Sequence, residues 1–176
     1  MINIQNFIPP ILTKKNWSDR LLRYKKSKLK NSINYEENNY FRTAFIHRAI
    51  IKKGIDCKYL EIGCDQNAVF NTIPLDKKNK IGVDPISGGT HRMNSDEFFR
   101  DNRENFDIIF IDGLHTYKQV QRDAINSIKF LKKDGIIFFH DLLPRDEIDE
   151  EIKFSGDCWK AGIELSQSNG LNLKIV

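Results

Sequence analysis

Three short apolar runs with carboxylates at or near their ends constrain this chain more than any other feature. They are YLEIGC at 59–64, IGVDP at 81–85 and FDIIFIDGLH at 106–115. Runs of this length, rich in Ile, Val and Phe, predict buried strands of a parallel sheet. Because the carboxyl ends of parallel strands open into one crevice, we expect Glu61, Asp84 and Asp112 to face a single acidic site.

Strands and helices are predicted to alternate along the chain. The predicted strands are 58–63, 80–84, 106–112 and 134–140. This alternation predicts an α/β fold with a doubly wound, Rossmann-like, mostly parallel sheet and helices on both faces.

Three helices are predicted between these strands. The first covers 36–53 through Phe41, Ala44, Phe45, Ala49 and Ile51, and ends at Gly54. The second begins in SDEFF with Ser95 as its cap. The third follows the apolar spacing of Val120, Ala124, Ile128 and Leu131, with Asp134-Gly135 as its stop signal.

The turn after the first strand decides which nucleotide suits the crevice. A dinucleotide fold needs GxGxxG there, but Asp65 occupies the position of the second glycine, where its negative charge would lie beside the pyrophosphate. NAD and FAD are therefore poor candidates, and the absence of GxxxxGK[ST] excludes a P-loop. S-adenosylmethionine fits better, because Glu61 and Asp65 can balance its cationic methionine moiety and Asp84 can hold its ribose diol.

Five sequence blocks resemble the class I S-adenosylmethionine-dependent methyltransferases, and within them the methyltransferase domain 24 family. The blocks are YLEIGC, KIGVDP, GGTHRMNSDEFF, FDIIFIDGLHTYKQVQRDAINSIKFLKKDGIIFFHDLLP and GDCWK. The resemblance implies that Glu61 and Gly63 form the first cofactor motif, that Asp84 binds the ribose, and that Ser95-Asp96 forms the turn near the adenine. Asn67 departs from the family pattern, which usually has glycine there.

The candidate catalytic residues are Asp112, His115, His140 and Asp141, which follow two neighbouring predicted strands. Asp112 is also a candidate cofactor ligand. A histidine of this set could act as general base on an acceptor hydroxyl. Alternatively, Asp112 and Asp141 could hold Mg²⁺ or another divalent cation, as in the similar catechol-type O-methyltransferases. Those enzymes place an amide ligand where this chain has Leu142.

Purely structural interpretations compete with these assignments. Asp112-Gly113 can be a strand-ending turn, and His140-Asp141 a helix-capping loop. His115 can equally cap the following helix.

The length of 176 residues fits one domain, predicted at 35–176, and neither a signal peptide nor a membrane-spanning run is evident. Three cysteines without a CxxC pair favour reduced thiols in a cytoplasmic protein. The predicted final strand, NLKIV, lacks the further antiparallel strand usual in this class. The predicted domain is therefore naturally minimal, covered by a partner chain or truncated, and an exposed edge would favour a homo-oligomer.

Residues 1–34 form a predicted basic arm, with eight Lys or Arg against one acidic residue. Phe7, Ile8, Ile11 and Leu12 beside these charges favour peripheral membrane contact. We expect no nucleic-acid partner, because no aromatic residues interleave with the charges for base stacking. A solvated arm without a partner is an equally good interpretation.

The sequence therefore predicts an O-methyltransferase acting on a small hydroxylated acceptor, such as a sugar or glycan intermediate. The alternatives are a non-catalytic S-adenosylmethionine-binding domain and a metal-dependent hydrolase that uses the same acid and histidine cluster.

Overall fold

The computed structural model describes residues 20–23, 42–144, 155–168 and 170–171. These residues belong to two units. The sheet unit comprises Tyr40–Leu114 and Gln119–His140, and the second unit comprises Met1–Asn39, His115–Lys118 and Asp141–Val176. The predicted boundary at residue 34 and the predicted strand NLKIV lie outside the described residues.

Among the described residues, four parallel strands form the sheet of the sheet unit. They are β1 (Tyr59–Ile62), β2 (Lys80–Val83), β3 (Phe106–Ile111) and β4 (Leu131–Phe139), in the spatial order β2-β1-β3-β4. The chain therefore leaves β1 on one side and returns to its other side for β3. This reversal is the switch point of a doubly wound sheet, where ligands bind at the carboxyl ends of the strands. The predicted fold class is confirmed.

From residue 42 onwards, the described residues form helices and short 3₁₀ turns at Phe70–Thr72 and Lys77–Asn79. The helices are α1 (Arg42–Lys53), α2 (Ser95–Asp101), α3 (Tyr117–Lys129) and α4 (Trp159–Gln167). Helix α1 packs Ile46 and Ile50 against one sheet face, beside Tyr59 and Ile108. Helix α2 packs Phe98 and Phe99 against the other face, so helices cover both faces as predicted.

The boundary between α3 and β4 differs from the prediction. Leu131, predicted as the last apolar residue of the helix, begins the strand instead and pairs with Phe106. The register then shifts, so that Ile136 pairs with Ile108. Asp134 adopts a positive φ of 64°, and the Asp134-Gly135 turn signal therefore belongs to an irregularity within β4.

The predicted buried face of α1 and the predicted cap of α2 also need correction. Ala44 and Ile51 are exposed, while Ile46, Ala49 and Ile50 face the core. Asn94 caps α2 in place of Ser95, since its side chain accepts from the Glu97 N–H at 2.9 Å. The Glu97 side chain accepts in return from the Asn94 N–H, which completes a capping box.

The second unit has an apolar cluster of its own. Leu21, Trp159 and Ile163 are buried together, with Leu143 packed against them. Trp159 of the GDCWK block is thus a core residue of this unit. None of the helices among the described residues combines the length and the hydrophobicity that crossing a bilayer requires.

Candidate functional site

Glu61 lies almost fully buried in β1, with 1% of its surface exposed. The Tyr59 hydroxyl donates to its Oε2 at 2.5 Å. Burial raises the pKa of Glu61 to about 7, although the Tyr59 hydrogen bond opposes the shift. A buried carboxyl group with such a raised pKa loses its proton and becomes negatively charged when a cation approaches, because the cation lowers its pKa again.

Gly63 brings the ends of β1 and β3 together at the switch point. Its φ is +85°, and a Cβ atom at this position would lie 2.1 Å from the Asp112 carbonyl oxygen. The Gly63 N–H donates to the Val83 carbonyl at 2.9 Å, and the Asp112 N–H donates to that of Ile62 at 2.8 Å. Only glycine fits between these backbones.

Asn67 explains how the turn after β1 forms without the usual glycine. Asn67 has a φ of 64° and Asp65 a φ of 43°, so both occupy the left-handed region. Asn and Asp tolerate this region better than other side chains do. Asn67 Oδ1 also accepts from the Gly89 N–H at 2.7 Å, which fixes the turn against the loop after β2.

Asp84 joins the same two loops through its carboxylate. Oδ2 accepts from the Cys64 and Asp65 N–H groups at 3.0 and 2.9 Å. Oδ1 accepts from the Ile86 and Ser87 N–H groups at 2.8 and 2.9 Å. Burial would raise the pKa of Asp84, but these four donors outweigh it, and the pKa falls below its usual value. A ribose diol bound at Asp84 would donate to the same two carboxylate oxygens that already accept hydrogen bonds from the loops after β1 and β2.

The predicted adenine turn contacts α3. Ser95 Oγ donates to Asp123 Oδ1 at 2.6 Å, and Asp96 pairs with Arg122 at 3.2 Å. Asp123 is 1% exposed, and burial raises its pKa. Sequence reasoning missed Asp123, although an acidic residue beside the apolar Val120 and Ala124 is a recognisable signal.

Asp112 and His140 meet at the ends of β3 and β4. The Asp112 Oδ1 atom lies 3.1 Å from His140 Nδ1. The structure adds Arg42, the first residue of α1, which no sequence pattern marks. One guanidinium nitrogen of Arg42 lies 2.9 Å from His140 Nε2 and 3.7 Å from Asp112 Oδ2. This cluster can hold an oxygen substrate and exchange a proton with it.

His115 and Asp141 form a pair within the second unit, with 3.8 Å between Nδ1 and Oδ2. The GDCWK block lies against these residues. A Cβ atom on Gly156 would lie 2.0 Å from the His115 carbonyl oxygen, and the Cys158 thiol donates to the Asp141 carbonyl at 3.0 Å. The two predicted metal ligands, Asp112 and Asp141, thus each have partners within their own unit.

Comparison with known proteins matches residues 43–142, more than half of the chain, to the family described as a methyltransferase domain. The chain is also similar to the uncharacterized protein R132 of Acanthamoeba polyphaga mimivirus. The two are 30% identical over 156 residues, which cover 69% of this chain and 68% of the viral protein. The match to the family includes Glu61 in β1, Asp84 and Asp112 directly after β2 and β3, and His140. The chain therefore belongs to the methyltransferase domain 24 family, as its five sequence blocks predict, and is a methyltransferase.

Proposed function

We propose that this methyltransferase uses S-adenosylmethionine and methylates an oxygen of a small hydroxylated or sugar-like acceptor. The observation that carries the proposal is the contact between Asp112 and His140 at the ends of adjacent parallel strands. Gly63, at the switch point, lies directly beside the Asp112 backbone. A proton-accepting pair next to the expected cofactor crevice is what methyl transfer to a hydroxyl requires.

The acidic residues around the switch point support the choice of cofactor. S-adenosylmethionine is the usual cofactor of a methyltransferase domain, and it supplies a methyl group activated on a sulfonium cation. Glu61, with a pKa of about 7, would ionise more fully beside that cation. Asp65, exposed in the turn after β1, carries a carboxylate that can balance the cationic methionine moiety.

The protein's chemical part in this reaction is small. The acceptor oxygen forms the new bond to the methyl carbon as the carbon–sulfur bond breaks, and that electron pair returns to sulfur. The hydroxyl proton passes to the Asp112–His140 pair. Alignment of the acceptor supplies most of the acceleration, because an oriented pair of reactants has already lost its translational freedom. The catalytic roles predicted from the sequence for His115 and Asp141 are tested separately by replacement.

Calorimetric titration of S-adenosylmethionine and S-adenosylhomocysteine into the full chain tests the cofactor. We expect saturable binding of both by the wild type and by the control variant Asp76→Ala, whose substituted residue is exposed after the β1 loop. Asp84→Ala should bind much more weakly. A folded wild-type protein that binds neither compound would sink the proposal.

A panel of sugars and small hydroxylated compounds then tests the acceptor, with S-adenosylhomocysteine release as the readout. Replacing His115 or Asp141 by Ala should abolish release while cofactor affinity is retained. If no acceptor supports turnover although the cofactor binds, the non-catalytic binding domain becomes the better account. A hydrolase would instead act without the cofactor and tolerate Asp84→Ala.

A contribution from Mg²⁺ at Asp112 and Asp141 remains a prediction from sequence, and the same titrations with and without Mg²⁺ test it. Membrane contact through residues 1–34, a homo-oligomer and a cytoplasmic location also remain predictions.

A further inference from the structure

Arg42 holds the two side chains of the sheet unit on which the proposed chemistry depends. Its guanidinium contacts His140 Nε2 at 2.9 Å and Asp112 Oδ2 at 3.7 Å. The side chain is 45% exposed, so the guanidinium is in contact with solvent as well as with the pair. A permanent positive charge therefore lies where a bound cation would be expected.

The contact with Arg42 determines which nitrogen of His140 carries the proton. A guanidinium has donors only, so Nε2 must accept with its lone pair. The imidazole proton then belongs on Nδ1, which lies 3.1 Å from Asp112 Oδ1 at an angle outside hydrogen-bond geometry. The guanidinium of Arg42 is therefore the group that assigns the imidazole proton to Nδ1.

The same contacts conflict with a divalent metal. A metal bound to His140 Nε2 would need the lone pair that Arg42 uses, and its charge would repel the guanidinium. Mg²⁺ also demands near-octahedral oxygen coordination, which imidazole does not supply. The position after Asp141, where catechol-type enzymes place an amide, is the buried hydrocarbon side chain of Leu142. The residues present do not fit Mg²⁺ while Arg42 is in place.

We propose that Arg42 is the resident cation of this site in place of a divalent metal, and the positioning residue that fixes the Nδ1–H form of His140. This inference rests on the proposed function. An acceptor hydroxyl that replaces the guanidinium at Nε2 meets an imidazole lone pair ready to take its proton. Arg42, displaced only slightly, then stabilises the negative charge that develops on the oxygen.

The first test reads the His140 tautomer by two-dimensional ¹H–¹⁵N spectroscopy of the imidazole rings, with the resonance assigned by His140→Gln. We expect the Nδ1–H pattern in the wild type and in Arg42→Lys, because lysine also only donates. Arg42→Ala should lose that pattern, while Arg48→Ala, an exposed arginine on the same helix, should keep it. An Nε2–H pattern or a charged ring in the wild type at neutral pH would overturn the proposal.

The second test is titration with Mn²⁺ followed by electron paramagnetic resonance. Removing a positive charge in contact with two ligand atoms should raise Mn²⁺ affinity at least about tenfold in Arg42→Ala over the wild type and Arg48→Ala. Equal, saturable binding by all three proteins would refute the exclusion of metal by Arg42. Binding by none of the three proteins would overturn the competition between Arg42 and the metal.

Both measurements are independent of cofactor and acceptor. Failure to bind S-adenosylmethionine would therefore reject the proposed function without deciding the role of Arg42. Conversely, cofactor binding with the wrong His140 tautomer would reject the role of Arg42 alone.

Discussion

Replacing Glu61 with Gln tests whether burial controls the protonation of this carboxyl group. The substitution keeps the shape of the side chain and an oxygen that can accept from Tyr59. In the folded protein the pKa of Glu61 is about 7, against an ordinary value of 4.5. A difference of this size corresponds to about 3 kcal/mol.

The sign of the effect follows from the proton counts of the two states. Between pH 4.5 and about 7 the folded protein keeps the Glu61 proton while the unfolded chain has lost it. The free energy of unfolding therefore decreases as the pH rises through this window, and the full penalty is present above it. A glutamine side chain at this position carries no charge at any pH, so the variant escapes the penalty.

We expect Glu61→Gln and the wild type to have similar free energies of unfolding at pH 4, and the variant to be more stable by about 3 kcal/mol at pH 8. Urea denaturation of the cofactor-free proteins at intervals across this range measures the difference, in which all other titrating groups cancel. Glu104→Gln is the control, because Glu104 is 51% exposed and its pair with Lys58 contributes about 1 kcal/mol or less. A difference between Glu61→Gln and wild type that is independent of pH would refute the reasoning.

Three further predictions concern the backbone around the site. Asp84→Ala leaves four N–H groups without their acceptor and should lower the free energy of unfolding by about 2–4 kcal/mol in urea titrations; an unchanged midpoint would contradict this. Gly63→Ala should prevent stable folding, because its Cβ would overlap the Asp112 carbonyl. Gly54→Ala is the control and should cost only about 1 kcal/mol, because Gly54 is also at positive φ but in open space. Circular dichroism melts compare the two variants, and equal losses of stability would disprove the steric argument. Asn67→Ala should cost about 1–2 kcal/mol because it loses both the bond to Gly89 and the tolerance for a φ of 64°, and Asn67→Gly should cost less by the same denaturation assay.

The sheet could be predicted from sequence because its strands are short runs rich in apolar residues. Parallel strands buried on both faces are nearly continuous apolar runs, which are easy to recognise in a sequence. Strands β2 and β3 begin at the residues where they were predicted to begin. The start of β4 could not be predicted, because Leu131 fits the helical spacing and Asp134-Gly135 resembles a helix stop. Only the pairing with Phe106 assigns Leu131 to the strand. Tertiary pairing overrides the local signal here.

The candidate site was predicted only in part, for a similar reason. Strand-end residues such as Asp112 and His140 can be placed together from topology alone, since parallel strands end at one edge. Arg42 opens a helix far away in sequence, and nothing in its local pattern marks it as a partner of His140. The four hydrogen bonds accepted by Asp84 could not be predicted either, because their donors are backbone N–H groups, which every residue except proline has.

The carboxylate of Asp84 couples the loop after β1 to the loop after β2, so that the two loops move together. Each oxygen atom serves a different loop, so neither loop can shift without pulling on the other. Substitutions that reshape one loop are therefore tolerated only if the other still presents its N–H groups to the same oxygens. Anyone redesigning the ligand preference of this domain would have to transplant the two loops together, with the aspartate between them.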